Sequence, residues 1–101
     1  MGERFEAKLW VNNESVELNE FVEEFLARTV AGAASSLKGT GDIQNLYLNV
    51  ERSDVSLTVN GEDISLTPFP SDIIASTFVG LVSSLKGTGK VESLKINVKV
   101  L

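Results

Sequence analysis

Residues 35–41 read SSLKGTG, and residues 83–89 repeat the same heptapeptide 48 positions further along the chain. When the sequence is shifted by 48 positions, residues 5–53 align with residues 53–101, and 19 positions are identical. A repeat of this period is the signature of a duplicated supersecondary unit. The sequence therefore predicts one domain, residues 1–101, made of two repeats at 5–53 and 53–101.

Each repeat predicts the same order of elements. Residues 5–11 alternate between apolar and polar side chains, which is typical of a strand with one buried face. The next two residues are Asn12 and Asn13 in the first repeat and Asn60 and Gly61 in the second. Both pairs tolerate the positive φ angles of a type I′ hairpin turn. A return strand, a helix and a third strand complete a ββαβ unit.

Two helices are expected, at residues 20–38 and 68–86. Asn19 and Thr67 stand just before them and can accept the free amide hydrogens of a helix start. Each helix leads into the sequence KGTG, whose first glycine suits a left-handed C-terminal cap. We therefore expect an α+β fold with a tandem duplicated ββαβ unit, helices on one face of the sheet, and internal pseudo-twofold symmetry.

The composition excludes several classes of function. The chain contains no cysteine and no histidine, so a thiol nucleophile, a zinc-thiolate site and a serine–histidine triad are excluded. Its net charge of −5 is a poor match for a nucleic-acid backbone. We expect no cofactor, no metal and no nucleic-acid partner. The sequence has no run of 18 apolar residues and no basic region followed by an apolar stretch, so we expect a cytoplasmic protein without a membrane partner.

The two KGTG loops are candidate anion-binding sites. Their candidate residues are Lys38, Gly39 and Gly41 in the first loop and Lys86, Gly87 and Gly89 in the second. Phosphate loops place their glycines before a helix, where free amides face the anion, whereas these glycines follow a helix. Helix termination, with a lysine at the negative end of the helix dipole, is the favoured interpretation, and anion binding is the alternative.

Two aromatic residues, Trp10 and Tyr47, fall on the polar side of their strands. With nearby polar side chains they could form a ligand patch or a partner surface. The sequence does not say whether the two strands are neighbours. A dimer contact or plain surface is the favoured interpretation, and the ligand patch is the alternative.

Three acidic residues, Glu20, Glu23 and Glu24, start the first helix and precede Arg28. Carboxylates one turn apart could bind a divalent ion or act as acid and base, which would suit a hydrolase. The second repeat does not carry the same acids. We therefore favour a solvated, ion-paired helix face and predict no catalytic residue.

The second helix has no charged residue between Ile73 and Leu85. A helix that is apolar almost all round must be buried, and a three-stranded sheet cannot cover so much surface. We therefore expect a homodimer, with exchange of strands between subunits as one way to form it. The expected interface residues are Ile74, Phe78, Leu81, Val82 and Leu85. The alternative is that the two helices pack on each other within a monomer.

Three functional hypotheses follow. The first is a non-enzymatic, obligately homodimeric protein, the second is a small-molecule or anion-binding module, and the third is a carboxylate-based hydrolase. In its size, its lack of cysteine and its duplication marked by LKGTG, the chain resembles small uncharacterised archaeal orphan proteins. That resemblance implies no function.

Overall fold

The computed structural model of the chain describes residues 5–38, 43–52, 54–64, 68–86 and 90–100. Within these residues, six strands and two helices follow one another in the order ββαβββαβ. The strands are β1 (Phe5–Val11), β2 (Glu14–Val16), β3 (Asn45–Glu51), β4 (Asp54–Val59), β5 (Glu62–Ile64) and β6 (Ser93–Val100). The helices are α1 (Glu20–Lys38) and α2 (Pro68–Lys86). The fold class is α+β, and both helices have the bounds that the sequence predicts.

The strands form a single antiparallel sheet in the order β2-β1-β6-β3-β4-β5. The last strand of the chain, β6, therefore lies between β1 and β3 and pairs with both. At the centre of the sheet Leu48 of β3 stands directly opposite Ile96 of β6. Neither hairpin strand of the first half pairs with β3, although β3 follows them in the sequence.

One face of this sheet is apolar because the strand register aligns the inward-facing residues. Leu9, Ile96, Leu48 and Leu57 stand opposite one another across four neighbouring strands. Parallel rows of buried residues flank this row on both sides. α1 packs on β1 and β6, and α2 packs on β4, so that both helices cover the apolar face. The opposite face of the sheet carries polar side chains.

Local sequence signals set the start of α1 and the turn geometry. The side-chain oxygen of Asn19 accepts a hydrogen bond from the backbone N–H of Val22 at 2.8 Å, which confirms the N-cap. Thr67, the expected cap of α2, lies outside the described residues. The hairpin turns have positive φ as predicted, with 51° at Asn12 and 53° at Asn60.

The expected interface residues of α2 require a correction. Ile74, Phe78 and Val82 are only 6%, 1% and 0% exposed, and they belong to the core of the chain itself. Leu81 is half-buried against the same core, and the side chain of Leu85 lies outside the described residues. The chain covers these residues because its sheet has six strands, not the three on which our expectation depended. The homodimer itself stays a prediction.

Among the described residues, neither helix combines the length and the apolar character that crossing a membrane would require.

Candidate functional site

Trp10 and Tyr47 lie on the open face of the sheet, on either side of β6. Trp10 stands opposite Lys95 of β6, and Tyr47 stands opposite Asn97 of the same strand. Trp10, Tyr47 and Lys95, together with Asn13, line one shallow cavity of about 270 Å³. The structure therefore brings together the two aromatic residues that the sequence could only place on the same kind of face. We call these four residues the aromatic site.

The lysine of the aromatic site has no charged residue directly opposite it in the sheet. The residues directly opposite Lys95 are Trp10 on one side and Asn49 on the other. Lys99, four residues further along the chain and on the same face, instead stands opposite Glu6. Coulomb attraction from an acid directly across the strand therefore acts on Lys99 but not on Lys95. Among these two lysines, Lys95 is the better placed to bind an external anion.

A network around Asn12 holds the aromatic site together. The Asn12 side-chain oxygen accepts hydrogen bonds from the backbone N–H groups of Glu92 and Ser93 at 2.8 and 3.0 Å. Its amide group donates to the carbonyl oxygen of Lys90 at 2.9 Å. Because Asn13 is the next residue and Lys95 follows shortly after Ser93, this anchor fixes both residues of the site relative to each other.

A second shallow cavity adjoins the aromatic site across Tyr47. It also has a volume of about 270 Å³ and is lined by Asn45, Tyr47, Thr58 and Gly61. The Asn60 side-chain oxygen accepts hydrogen bonds from the backbone N–H groups of Gln44 and Asn45, at 2.8 and 3.0 Å. Tyr47 is 41% exposed and forms the wall between the two cavities.

The polar groups of the second cavity already have partners within the chain. Thr58 donates a hydrogen bond to a carboxylate oxygen of Asp63 at 3.0 Å. The side chain of Asn97 donates to the side-chain oxygen of Asn45 at 3.1 Å and to the carbonyl oxygen of Leu46 at 3.0 Å. The lining residues of the second cavity therefore carry no charge, and the polar side chains of Asn45 and Thr58 already form hydrogen bonds within the chain.

The acidic residues of α1 are directed to different partners. A carboxylate oxygen of Glu23 accepts a hydrogen bond from the backbone N–H of Ala7 at 3.0 Å, beyond the end of β2. Glu24 instead forms an ion pair with Arg28 at 3.2 Å on the exposed side of the helix. Glu20 lines a surface cavity with Glu24. Since Glu23 is held against the sheet, the geometry does not support a shared acid–base site for a hydrolase.

Most residues of the two KGTG loops lie outside the described part of the chain. Gly39, Gly41, Gly87 and Gly89 lie outside the described residues, and Lys38 and Lys86 are described only as the last residues of their helices. Anion binding by these loops stays a prediction. Among the described residues, no group of three acidic side chains lies close enough to hold a metal ion.

Sequence reasoning missed two members of the aromatic site, Asn13 and Lys95. Lys95 occupies in the second repeat the position that Tyr47 occupies in the first. That correspondence was visible, but it suggested only that the patch is not duplicated. The register of β6 between β1 and β3 was needed to bring Lys95 next to both aromatic residues.

No known protein family matches this chain, and the comparisons with curated proteins and with solved structures found no similar protein. The resemblance to archaeal orphan proteins therefore stays a prediction.

Proposed function

We propose that this protein is a non-enzymatic binding module that holds a small, flat, anionic ligand at the aromatic site. The observation that carries the proposal is the single cavity lined by Trp10, Tyr47, Lys95 and Asn13. Two aromatic walls can stack on a ring, and a lysine between them can bind the ring's acidic group. Ligand sites use a few polar groups, placed at defined positions, to fix the orientation of the ligand.

The size of the cavity limits the ligand. A volume of about 270 Å³ is slightly below the range of roughly 300–1,000 Å³ that is usual for drug-sized ligands. A single aromatic ring with one carboxylate or phosphate group fits that limit. A larger ligand would extend across Tyr47 into the second cavity, where Asn45 and Thr58 line the surface.

Binding without chemistry is favoured by the residues that are present. The chain has neither histidine nor cysteine, and Glu23 and Glu24 of α1 are held by separate partners. General acid–base catalysis needs a titratable side chain within hydrogen-bond reach of the reacting group. The aromatic site offers a lysine, an amide and two aromatic rings, which suit recognition.

The test uses the intrinsic fluorescence of Trp10, which is the one tryptophan in the sequence. The probes are phenyl phosphate, inorganic phosphate and benzyl alcohol, which supply both chemical features, the anion alone and the ring alone. We expect saturable quenching by phenyl phosphate and at least tenfold weaker binding of each of the other two. A linear response to all three probes would contradict the proposal.

Two lysine variants on the same face of β6 complete the test. Lys95→Gln should weaken phenyl phosphate binding about tenfold, because one charge-assisted hydrogen bond is worth roughly 1.5 kcal/mol. Lys99→Gln is the matched control, since Lys99 lies on the same face outside the cavity. Equal losses in the two variants would mean that the net charge of the face, and not the aromatic site, attracts the anion.

We also infer that the chain arose by tandem duplication of a ββαβ unit and that its sheet has a pseudo-twofold axis. The strand order supports this, because exchanging β1 with β4, β2 with β5 and β3 with β6 reproduces it in reverse. Asn12 and Asn60, 48 residues apart, accept equivalent pairs of backbone hydrogen bonds. The proposed axis passes between Leu48 and Ile96, which also differ by 48 and stand opposite each other.

A further inference from the structure

The outer faces of the two helices expose large apolar side chains. Phe21 is 76% exposed, Phe25 is 46% exposed and Ile73 is 49% exposed. The rings of Phe21 and Phe25 stack with centroids 6.2 Å apart and an angle of 14° between their planes. Isolated apolar residues are common on protein surfaces, but the stacked exposed rings of Phe21 and Phe25 form a group that indicates an interaction site. We call these three residues the apolar helix face.

The phenylalanines of the apolar helix face lie on the side of α1 that is turned away from the sheet. On α1, the residues that meet the sheet are Leu26, Ala27, Val30 and Ala34, all at most 2% exposed. Helical spacing puts Phe21 and Phe25 on the opposite side of α1, facing away from the sheet. A surface cavity of about 430 Å³ lies there, lined by Glu20, Phe21, Glu24, Phe25 and Arg28.

Two exposed glycines on the same side of the helices agree with a contact from outside the chain. A Cβ atom at Gly32 or at Gly80 would meet nothing within 4 Å. Both lie inside helices, where glycine is less favourable than alanine, so packing within the chain does not require them. Small residues at such positions allow the backbone of a second helix to approach closely.

We propose that the apolar helix face binds a second copy of this chain, so that two helix layers pack face to face about a twofold axis. The extent of the chain parallel to the sheet, 36 × 33 Å, allows a contact of roughly 1,000 Å² on each copy, above the 800 Å² of a standard interface. This dimer differs from the one that the sequence suggested, because it uses Phe21, Phe25 and Ile73 in place of the buried residues of α2.

Charge complementarity favours a second copy as the occupant. The outer side of α1 carries Glu20 and Glu24 toward its start and Arg28 one turn beyond Glu24. In a twofold dimer with antiparallel α1 helices that cross near Glu24, Arg28 of each copy, which is paired with Glu24 of its own helix, faces Glu20 of the other copy. A surface that is complementary to itself in this way is what an isologous dimer requires.

The edges of the sheet are poorly suited to the same role. The edge strands β2 and β5 have three residues each, and they carry Glu14, Glu62 and Asp63. Short, charged edge strands disfavour pairing with a second chain. A dimer is therefore expected through the helix layer.

The test is sedimentation equilibrium of the full chain, whose mass is 10.9 kDa. We expect the unmodified protein to sediment at twice that mass at micromolar concentration. The double variant Phe21→Ser, Phe25→Ser should weaken association at least about 100-fold and sediment as a folded monomer, since both side chains are exposed. Ile73→Ser, on the other helix, should weaken association about tenfold and gives a second, milder probe.

Tyr47→Ser is the matched control, because Tyr47 is also an exposed aromatic residue but lies on the opposite face of the sheet. It should leave the dimer intact, as should Lys95→Gln. The proposal would be overturned if the unmodified protein were still monomeric at 100 times the micromolar concentration of the first experiment. It would also be overturned if the double variant remained a dimer. If the monomer instead co-floats with neutral phosphatidylcholine vesicles, the apolar helix face belongs to a membrane surface and the proposal is wrong.

Discussion

The side-chain oxygen of Asn12 lies 2.8 Å from the backbone nitrogen of Glu92, although the two residues are 80 positions apart in the sequence. This contact ties the β1–β2 turn to the loop that leads into β6. It joins the first hairpin of the chain to its last strand, and it orients the aromatic site. The stability of the hairpin and the proposed ligand binding are therefore expected to depend on the same asparagine.

Replacing Asn12 by alanine should destabilise the protein by about 2–3 kcal/mol. The variant loses two hydrogen bonds to backbone amides, each worth about 1 kcal/mol, and puts a side chain without αL preference at a φ of 51°. Asn13→Gly is the matched control, because the second turn already has glycine at the equivalent position, Gly61. Urea unfolding monitored by circular dichroism measures both, and an equal loss in the two variants would contradict the role of the Asn12 side chain.

The two exposed helix glycines should behave in the opposite way from Gly61. In the monomeric Phe21→Ser, Phe25→Ser background, Gly32→Ala and Gly80→Ala should each stabilise the fold by about 0.5–1 kcal/mol, because the added Cβ meets nothing and the unfolded chain loses freedom. Gly61→Ala should cost about 1 kcal/mol, because φ there is +84°. Thermal unfolding gives the sign of each effect. A destabilising Gly32→Ala would mean that the helix environment differs from the one described.

Removal of the Glu23 carboxylate should weaken the attachment of α1 to β1. Glu23→Ala leaves the Ala7 N–H without its 3.0 Å partner, at an expected cost of about 1–2 kcal/mol. Glu24→Ala removes only an exposed ion pair within the helix and should cost about 0.3 kcal/mol. Amide hydrogen exchange at Ala7 gives a local readout, since it should accelerate in the first variant only. Unchanged exchange in Glu23→Ala would show that this hydrogen bond does not protect the strand.

Phe78 and Phe25 should separate folding from association. Phe78 is 1% exposed, so Phe78→Ala should cost about 3–5 kcal/mol of stability at any protein concentration. Phe25 is 46% exposed, so Phe25→Ala should leave the monomer within about 1 kcal/mol of the unmodified protein while weakening the dimer. Unfolding curves at several protein concentrations distinguish the two effects. If Phe78→Ala changed only the concentration dependence, Phe78 would be an interface residue after all.

Most local features of the fold could be predicted from the sequence. The bounds of α1 and α2 follow from a capping residue at one end and a lysine–glycine pair at the other. The two-residue turns follow from the tolerance of asparagine and glycine for positive φ. These features depend on residues that are close together in the chain, so the same local signals predict the same helix and turn in both repeats.

The position of β6 between β1 and β3 could not be predicted. Alternation of apolar and polar residues fixes which face of a strand is buried, but it is the same whichever strands lie beside it. Our interface prediction therefore considered only one three-stranded sheet beneath α2, and α2 has more apolar surface than such a sheet could cover. The aromatic site could not be predicted for the same reason. Trp10 and Tyr47 lie near each other only because β6, which carries Lys95, stands between their strands.

The proposed duplication predicts that the chain can be circularly permuted at the β3–β4 connection. Phe5 stands opposite Val100 and Glu6 opposite Lys99, just as Asp54 stands opposite Glu51. The variant begins at Asp54 and runs to Lys99. It continues through Arg-Ser, the sequence of residues 52 and 53, and then runs from Glu6 to Glu51. Arg-Ser then joins β6 to β1 by a two-residue hairpin that is equivalent to the one between β3 and β4. We expect it to fold with the same circular dichroism spectrum and a stability within about 1 kcal/mol. The spectrum of Trp10 fluorescence should not change.

A second permutant opened between Asn12 and Asn13 is the control. It uses the same Arg-Ser connection but cuts the turn that the Asn12 side chain anchors to the start of β6. We expect it to be less stable than the first permutant by about 2 kcal/mol or more. After the cut Asn12 is a chain end, and its hydrogen bonds must also offset the conformational entropy that this end loses when it becomes ordered. If the first permutant were as unstable as the control, the new β6–β1 connection would not be equivalent to the natural β3–β4 connection. The proposed pseudo-twofold relation would then fail.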